Sequence, residues 1–393
     1  MAINPQKAGR MKSLNPAAVA MPQSGIRAIL DEASKLEDVL HLEIGQPDLP
    51  TPGHIIEAAE RAARNGYTGY TPNAGYWSLR EAFAARLSDE QGLSVEPEQV
   101  VVSVGAMGAL FSTLCALVAP GDEILVPDPG YPNYQMPIHL LGAKAVPYPL
   151  ELSSGYSLVP AIIESLISRR TKAIIINSPS NPTGMVATPE ALRGVVQMAQ
   201  EHRLFVISDE AYDHIVFEGR HVCALHFDTS GGVVSIFSCS KTYSMTGWRV
   251  GFSVSTRGIA VLLTKLQEMF VSCAPSVSQK AAEAALAGPQ DCVGEMLGHY
   301  RRRRDSALEL ATALNLAVVV PNGAFYMMIG LPEWAGGDSM GFARHLLAET
   351  HLAVAPGITF GMNGQGFIRV SLCASEASIA EGLRRLVSCQ QPP

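Results

Sequence analysis

Lys241 lies in the run Ser238-Cys239-Ser240-Lys241-Thr242-Tyr243-Ser244-Met245-Thr246-Gly247-Trp248-Arg249-Val250-Gly251, with an arginine eight residues after it. A lysine amine among small hydroxyl side chains can form a Schiff base with an aldehyde cofactor. The hydroxyls of Ser238 and Ser240 and the guanidinium fork of Arg249 suit a phosphate group on such a cofactor. A solvated lysine in a Ser/Thr/Gly-rich loop has the same local composition, so the run needs company. Asp209-Glu210-Ala211-Tyr212 closes the apolar run RLFVIS. A carboxylate at the end of a buried parallel strand faces the crevice beyond the sheet, although a helix N-cap is the plainer reading of Asp209. Asn177-Ser178-Pro179-Ser180-Asn181-Pro182-Thr183-Gly184 follows another apolar run. Its composition is that of a turn, and the bond before Pro182 is a cis candidate. Gly105-Ala106-Met107 opens a helical pattern, and free N–H groups at a helix start bind phosphate. In Gly366-Phe367-Ile368-Arg369-Val370-Ser371 a single arginine interrupts an apolar strand pattern. A guanidinium buried there requires an anionic partner, and the segment offers none.

The elements that must position these residues alternate in type. Residues 100–104, 123–126, 143–146, 171–176, 204–208 and 233–238 are short apolar, β-branched runs. Residues 106–117, 188–202 and 256–270 have helical spacing. This alternation predicts an α/β layer with a mostly parallel sheet flanked by helices. The last third differs. A long helical pattern over 277–315 breaks near Gly288-Pro289. It is followed by strand patterns at 317–320 and 324–329, a helix over 340–350, a strand over 367–371 and a helix over 376–388. We expect a smaller α+β unit here, with the N-terminal 45 residues folded back onto it. The expected division is residues 46–285 as the large unit, and 1–45 with 286–393 as the small one.

Composition excludes several classes. The 393 residues are 47% hydrophobic and 17% charged. A typical charged share is about 25%, so much of the surface should be covered, within large domains or by a partner chain. Net charge is −7 and no basic stripe appears, which argues against nucleic acid. The densest basic run, Arg301-Arg302-Arg303-Arg304, reads as a solvated or interface helix face. Neither G-x-G-x-x-G nor G-x-x-x-x-G-K-[ST] occurs. Seven scattered cysteines without C-x-x-C read as reduced thiols. With no signal-peptide core and no long apolar span, a cytoplasmic, non-membrane protein without a metal site is expected.

Together, these motifs resemble those of the fold-type I, pyridoxal-phosphate (PLP) dependent aminotransferases of class I/II, over about residues 25 to 388. The resemblance implies that Lys241 carries the cofactor, that Asp209 keeps its ring nitrogen protonated and that Tyr212 donates to its ring oxygen. It implies that Asn181 of the N-P-T-G loop donates to the same oxygen. Tyr131, in Asp128-Pro129-Gly130-Tyr131-Pro132-Asn133-Tyr134, matches the residue that stacks on the ring. Gly105, Ala106, Met107, Ser238, Ser240 and Arg249 match the phosphate cradle. Arg369 matches the arginine that forks onto the substrate α-carboxylate, and Gly45, in Ile44-Gly45-Gln46-Pro47-Asp48, matches a glycine lining that site. Tyr70, in Tyr70-Thr71-Pro72-Asn73-Ala74-Gly75, matches a tyrosine that reaches the neighbouring subunit's cofactor, which implies a homodimer with shared sites. The implied reaction is ping-pong transfer of an amino group between an L-amino acid and a 2-oxo acid, with Lys241 as general base and acid.

One departure bears on substrate. Some bacterial aspartate enzymes of this type carry a lysine at the position of Met107, for the substrate's side-chain carboxylate. Methionine there tilts the reading toward neutral or aromatic donors, with 2-oxoglutarate or pyruvate as acceptor. The K-T-Y-S-M-T-G-W-R run keeps aspartate open. A C–S β-lyase or synthase of the same fold is the alternative within the family. A non-enzymatic PLP-sensing regulator is disfavoured, because only about 40 residues precede Gly45.

Overall fold

The computed structural model describes residues 14–21 and 23–389. In chain order its strands are β1 (Leu40–His41), β2 (Val100–Ser103), β3 (Glu123–Asp128), β4 (Lys144–Pro149), β5 (Thr171–Asn177), β6 (Phe205–Asp209), β7 (Val233–Ser238), β8 (Gly251–Val254), β9 (Val318–Val319), β10 (Tyr326–Gly330), β11 (Leu352–Ala353), β12 (Ala355–Pro356) and β13 (Phe367–Ser371). Seven of them form one sheet in the order β2-β8-β7-β6-β5-β3-β4. Every pairing in it is parallel except those of β8, which runs antiparallel to both β2 and β7.

The continuous apolar runs follow from burial on both faces. In β5, Ile174 and Ile176 enter one core cluster, while Ala173 and Ile175 enter another on the opposite face. The next strand divides in the same way, Val206 to the first and Ile207 to the second. That is the two-residue alternation of a strand between two helical layers. The expected helices occur at Gly105–Leu117, Pro189–Glu201 and Arg257–Val271. The strand β8 had no counterpart in the sequence reading. Its G-F-S-V stretch is only four residues long and follows directly on the lysine motif.

The long helical pattern resolves into Ser276–Ala287 and Asp291–Ala313, broken at Gly288-Pro289 as expected. A second, antiparallel sheet has the order β12-β13-β10-β9. The N-terminal segment packs on this region. Leu40 pairs with Leu352 in a parallel bridge. Ile29, Ala33 and Leu42 share a core with Phe342, Leu346, Ile368 and Leu383. The helix Gly25–Ala33 is held mainly by Ile29, which is fully buried. Truncating such a residue costs about 2–5 kcal/mol. The largely solvated Glu32–Arg344 pair, which ties this helix to the helix Ser339–Thr350, contributes about 1 kcal/mol at most.

The arginine run departs from expectation. Arg301 and Arg302 are exposed, but Arg303 and Arg304 are buried. Helical periodicity puts Tyr300, Arg303, Arg304 and Ala307 on one inward stripe. Arg303 makes a bidentate pair with Asp48 at 2.7 Å for both oxygens. Arg304 reaches Glu218 at 3.1 Å and Asp305. A guanidinium fork enters the interior only with such partners. All seven cysteines are free.

Candidate active site

The carboxyl ends of the parallel strands converge on one cleft. Asn177 ends β5, Asp209 ends β6 and Ser238 ends β7. Because β8 pairs Gly251 with both Ser103 and Ser238, the start of the helix Gly105–Leu117 is drawn beside the lysine turn. A Cβ at Gly251 would lie 2.7 Å from the Ala106 nitrogen, and one at Gly105 would lie 2.5 Å from Arg249 Nη2. Only glycine permits this approach, and Gly105 also has φ +70°. Ser244 and Arg249 hold positive φ without being glycine, a conformation that costs of order 1–3 kcal/mol and concentrates at functional sites.

The cleft has a volume of about 950 Å³. Its lining includes Gly45, Ala106, Met107, Tyr131, Asn181, Asp209, Tyr212, Ser238, Ser240, Lys241, Arg249 and Arg369, drawn from across the sequence. Gly105 sits directly behind Arg249. Tyr70 is the exception. It is 90% exposed and stands outside the cleft of its own chain.

Lys241 Nζ donates to the Gly45 carbonyl at 2.7 Å and lies 5.6 Å above the Phe325 ring. Burial lowers its pKa to about 8, with Arg369 and Arg249 pushing the same way against Cys373 and Asp209. Its short helix, Cys239–Thr242, starts with Ser238 Oγ accepting from the Ser240 N–H at 3.1 Å. The turn is pinned behind by Thr242, whose hydroxyl donates to Asp213 at 3.3 Å, and Asp213 in turn pairs with buried Arg86.

Asp209 accepts from the Tyr134 hydroxyl at 2.7 Å and from the Ala211 N–H at 3.3 Å. Burial raises its carboxyl pKa against these two hydrogen bonds. The contact to Ala211 does not cap a helix, because β6 runs into a turn. Tyr212 shares a hydrogen bond of 2.9 Å with Tyr326. A Cβ at Gly45 would collide with that Tyr326 hydroxyl. Asn133 donates to the Tyr131 hydroxyl at 3.0 Å, and burial raises the Tyr131 pKa to about 12.

Arg369 is 1% exposed, on β13. It donates to Asn181 Oδ1 at 2.9 Å and to the Glu43 carbonyl, and its guanidinium lies 4.0 Å from the Tyr326 ring centroid. It makes no hydrogen bond to a carboxylate, and its Nε has no partner among the described residues. Burial lowers its pKa, the direction expected for a cation short of an anion. The Asn181–Pro182 bond is cis, as are Asp128–Pro129 and Ser178–Pro179.

Sequence reasoning missed Tyr134, Tyr326, Thr246 and the helix Gly25–Ala33, all of which contribute to the cleft. Tyr134 lies in a segment read only for Tyr131, and the Tyr134–Asp209 pairing spans 75 positions. No local spacing signals it. A second cleft, about 890 Å³, opens near Arg86, Asp213, His214 and His221. Its buried charges are paired with one another: Arg86 with Asp213, and His221 with Glu210 at 2.7 Å. It therefore lacks the uncompensated charges of the first. No helix among the described residues is long and apolar enough to cross a membrane.

A family model for aminotransferase class I and II matches residues 37–386. The chain is 36% identical over 374 residues, 95% of this chain and 94% of the other, to "Probable N-acetyl-LL-diaminopimelate aminotransferase" of Bacillus subtilis. It is 34% identical over 368 residues, 93% of this chain and 94% of the other, to "Aspartate aminotransferase" of Pyrococcus horikoshii. The crystal structure of aspartate aminotransferase from Thermus thermophilus with maleate superposes with a TM-score of 0.92 at 34% identity, covering 96% of this chain and 100% of that one. The match spans the strands that bring Lys241, Asp209 and Arg369 together, and this chain belongs to the class I and II aminotransferases, enzymes that transfer an amino group between amino and 2-oxo acids.

Proposed function

We propose that this aminotransferase uses PLP in the cleft around Lys241, with neutral or aromatic L-amino acids as donors. The observation that carries the reading is a set of buried or half-buried charges in the cleft that lack opposite partners within hydrogen-bonding distance. Asp209 has two neutral donors and a raised pKa, which fits a cationic ring nitrogen. Arg369 has neutral acceptors and an unpartnered Nε, which fits an α-carboxylate. Arg249, Ser238, Ser240 and the helix start at Gly105, Ala106 and Met107 form a cradle that a Cβ at Gly105 or Gly251 would fill. These residues would hold the phosphate. Lys241, Asp209, Tyr212, Asn181 and Tyr131 would hold the ring.

When bound, PLP supplies an electron sink for the negative charge left at the amino acid's Cα. The chain's own residues do the rest. Arg369 fixes the carboxylate. The neutral Lys241 amine takes the proton from Cα and later returns it, and its lowered pKa suits that task near neutral pH. Asp209 would serve to keep the cofactor's ring nitrogen protonated. Residues 46–285 would form the large unit, with 1–45 and 286–393 as the small one.

The donor class rests on Met107, which lines the cleft and offers no charge for an acidic side chain. Aspartate is the second reading, supported by the name of the Pyrococcus relative. A panel of acidic, aromatic and aliphatic donors, read as 2-oxo acid formed, tests both. Arg369→Lys should lower kcat/KM for every donor alike, on the order of 10²-fold, because the fork serves the group all donors share. Met107→Lys should instead raise the ratio of acidic to neutral donors. Loss confined to one donor class in Arg369→Lys would reverse the proposed substrate orientation.

We further propose a cytoplasmic homodimer with shared sites. Tyr70, exposed and away from its own cleft, would reach the cofactor of a second copy. Tyr70→Phe should release PLP faster on dialysis. A fully active monomer in sedimentation would count against this arrangement.

A further inference from the structure

We infer that Arg27 is the specificity residue that recognises the distal carboxylate of dicarboxylic substrates, and so selects a five-carbon 2-oxo diacid as amino acceptor over a short neutral 2-oxo acid. The inference deepens the proposed function and rests on it for the orientation of the substrate.

The cleft's lining holds the cations Lys241, Arg249, Arg369 and Arg27 and the acids Glu43 and Asp209. One oxygen of Glu43 is engaged by His41 at 2.7 Å, its other oxygen is buried without a partner among the described residues, and Asp209 is engaged by Tyr134. In the proposed reaction Arg249 answers the cofactor phosphate, Arg369 answers the α-carboxylate, and Lys241 acts as the amine. Arg27 is left over. Arg27 is solvent-exposed at the edge of the cleft, and with neutral substrates alone it would have no anion to meet there.

Its surroundings do not supply one. Among the described residues Arg27 makes no hydrogen bond or ion pair. Asp31, four positions on and at the usual helical pairing distance, instead accepts from the Gln23 amide at 3.4 Å. Glu32 is taken by Arg344 at 2.8 Å. The helix Gly25–Ala33 turns Ile29 and Ala33 into the core, while Ile26, Arg27 and Leu30 face the cleft. The cleft that Arg27 borders also has apolar lining residues, among them Ile26, Leu30, Met107 and Leu110, and the charged head of Arg27 stays free in solvent. A neutral side chain can occupy that lining without engaging the guanidinium. A dicarboxylate can place one carboxylate on Arg369 and the other on Arg27. Met107 removes a cation from one wall, and Arg27 supplies one from another.

Matched ligands that differ by one carboxylate isolate the role. Glutarate and pentanoate have the same chain length, and calorimetry on the full-length, PLP-loaded protein measures their binding without turnover. Arg27→Gln should weaken glutarate on the order of tenfold while moving pentanoate by less than about twofold, as expected for loss of one charge-assisted contact. Arg27→Lys should restore most of the glutarate affinity. In steady state, Arg27→Gln should raise KM for 2-oxoglutarate and leave KM for pyruvate in place. Glutarate binding that is unmoved, or that falls together with pentanoate, would overturn the inference. Because binding is read apart from catalysis, a wild-type protein that discriminates glutarate but turns over no amino acid would fault the transamination reading and leave the role of Arg27 standing.

Discussion

Lys241→Ala is expected to abolish amino transfer, lowering kcat by at least about four orders of magnitude, while melting temperature and circular dichroism stay close to wild type. The side chain combines two roles, covalent attachment and proton transfer at Cα, each worth orders of magnitude in rate. Among the described residues its only side-chain hydrogen bond is from Nζ to the Gly45 carbonyl, so the fold loses little with it. The amine's titration provides an independent check. Burial lowers the Lys241 pKa to about 8, whereas a solvated lysine titrates near 10.4. The neutral amine is the nucleophile. It therefore predominates above pH about 8 and is lost as pH falls through that value. In protein stripped of cofactor, reductive methylation of the Lys241 peptide should be half-maximal near pH 8, with solvated lysines still rising at higher pH. Borohydride treatment of the yellow holoprotein should leave the reduced cofactor on the same peptide. Near-normal turnover in Lys241→Ala would disprove the assignment.

Asp209→Ala should be the next most damaging change, with kcat/KM falling on the order of 10²–10⁴-fold, equivalent to about 3–5 kcal/mol. The carboxylate ends β6 at the floor of the cleft, where burial raises its pKa and two neutral donors hold it in place. A largely desolvated, half-buried acid in that condition gains most when a cation arrives beside it. Asp209→Asn separates charge from shape, because it keeps the side-chain volume and can still accept from Tyr134. Both variants should lose activity to a similar extent if charge is what matters. Full activity in Asp209→Asn would reduce Asp209 to a positioning residue for Tyr134.

What could be read in the chain alone follows from local physics. The β-branched runs that became β5, β6 and β7 are legible because strands buried on both faces need continuous apolar sequence. Helix ends at Thr188, which caps Pro189–Glu201, and at the Gly288-Pro289 break are legible because capping and breaking act over a few residues. The lysine run, the Asn177–Gly184 loop and Arg369 in its apolar strand were legible for the same reason. Each places an unusual polar group at the end of, or inside, an apolar element, and the lining of one cleft by Lys241, Asp209, Asn181 and Arg369 accords with the reading.

Other features were decided only by tertiary contact. The strand β8 is short and gains its identity from the two antiparallel neighbours that flank it. Arg303 and Arg304 look solvated in a run of four arginines, yet they point inward because Asp48 and Glu218 meet them from distant segments. Tyr134 became the partner of Asp209, and Tyr326 that of Tyr212, through contacts spanning 75 and 114 positions. Arg27 entered the cleft because Ile29 anchors its helix to the core of the C-terminal region. The sequence determines which groups can do chemistry wherever the requirement is local. Which charges remain uncompensated depends on every neighbour the folded chain brings within reach, and that sum exists only in three dimensions.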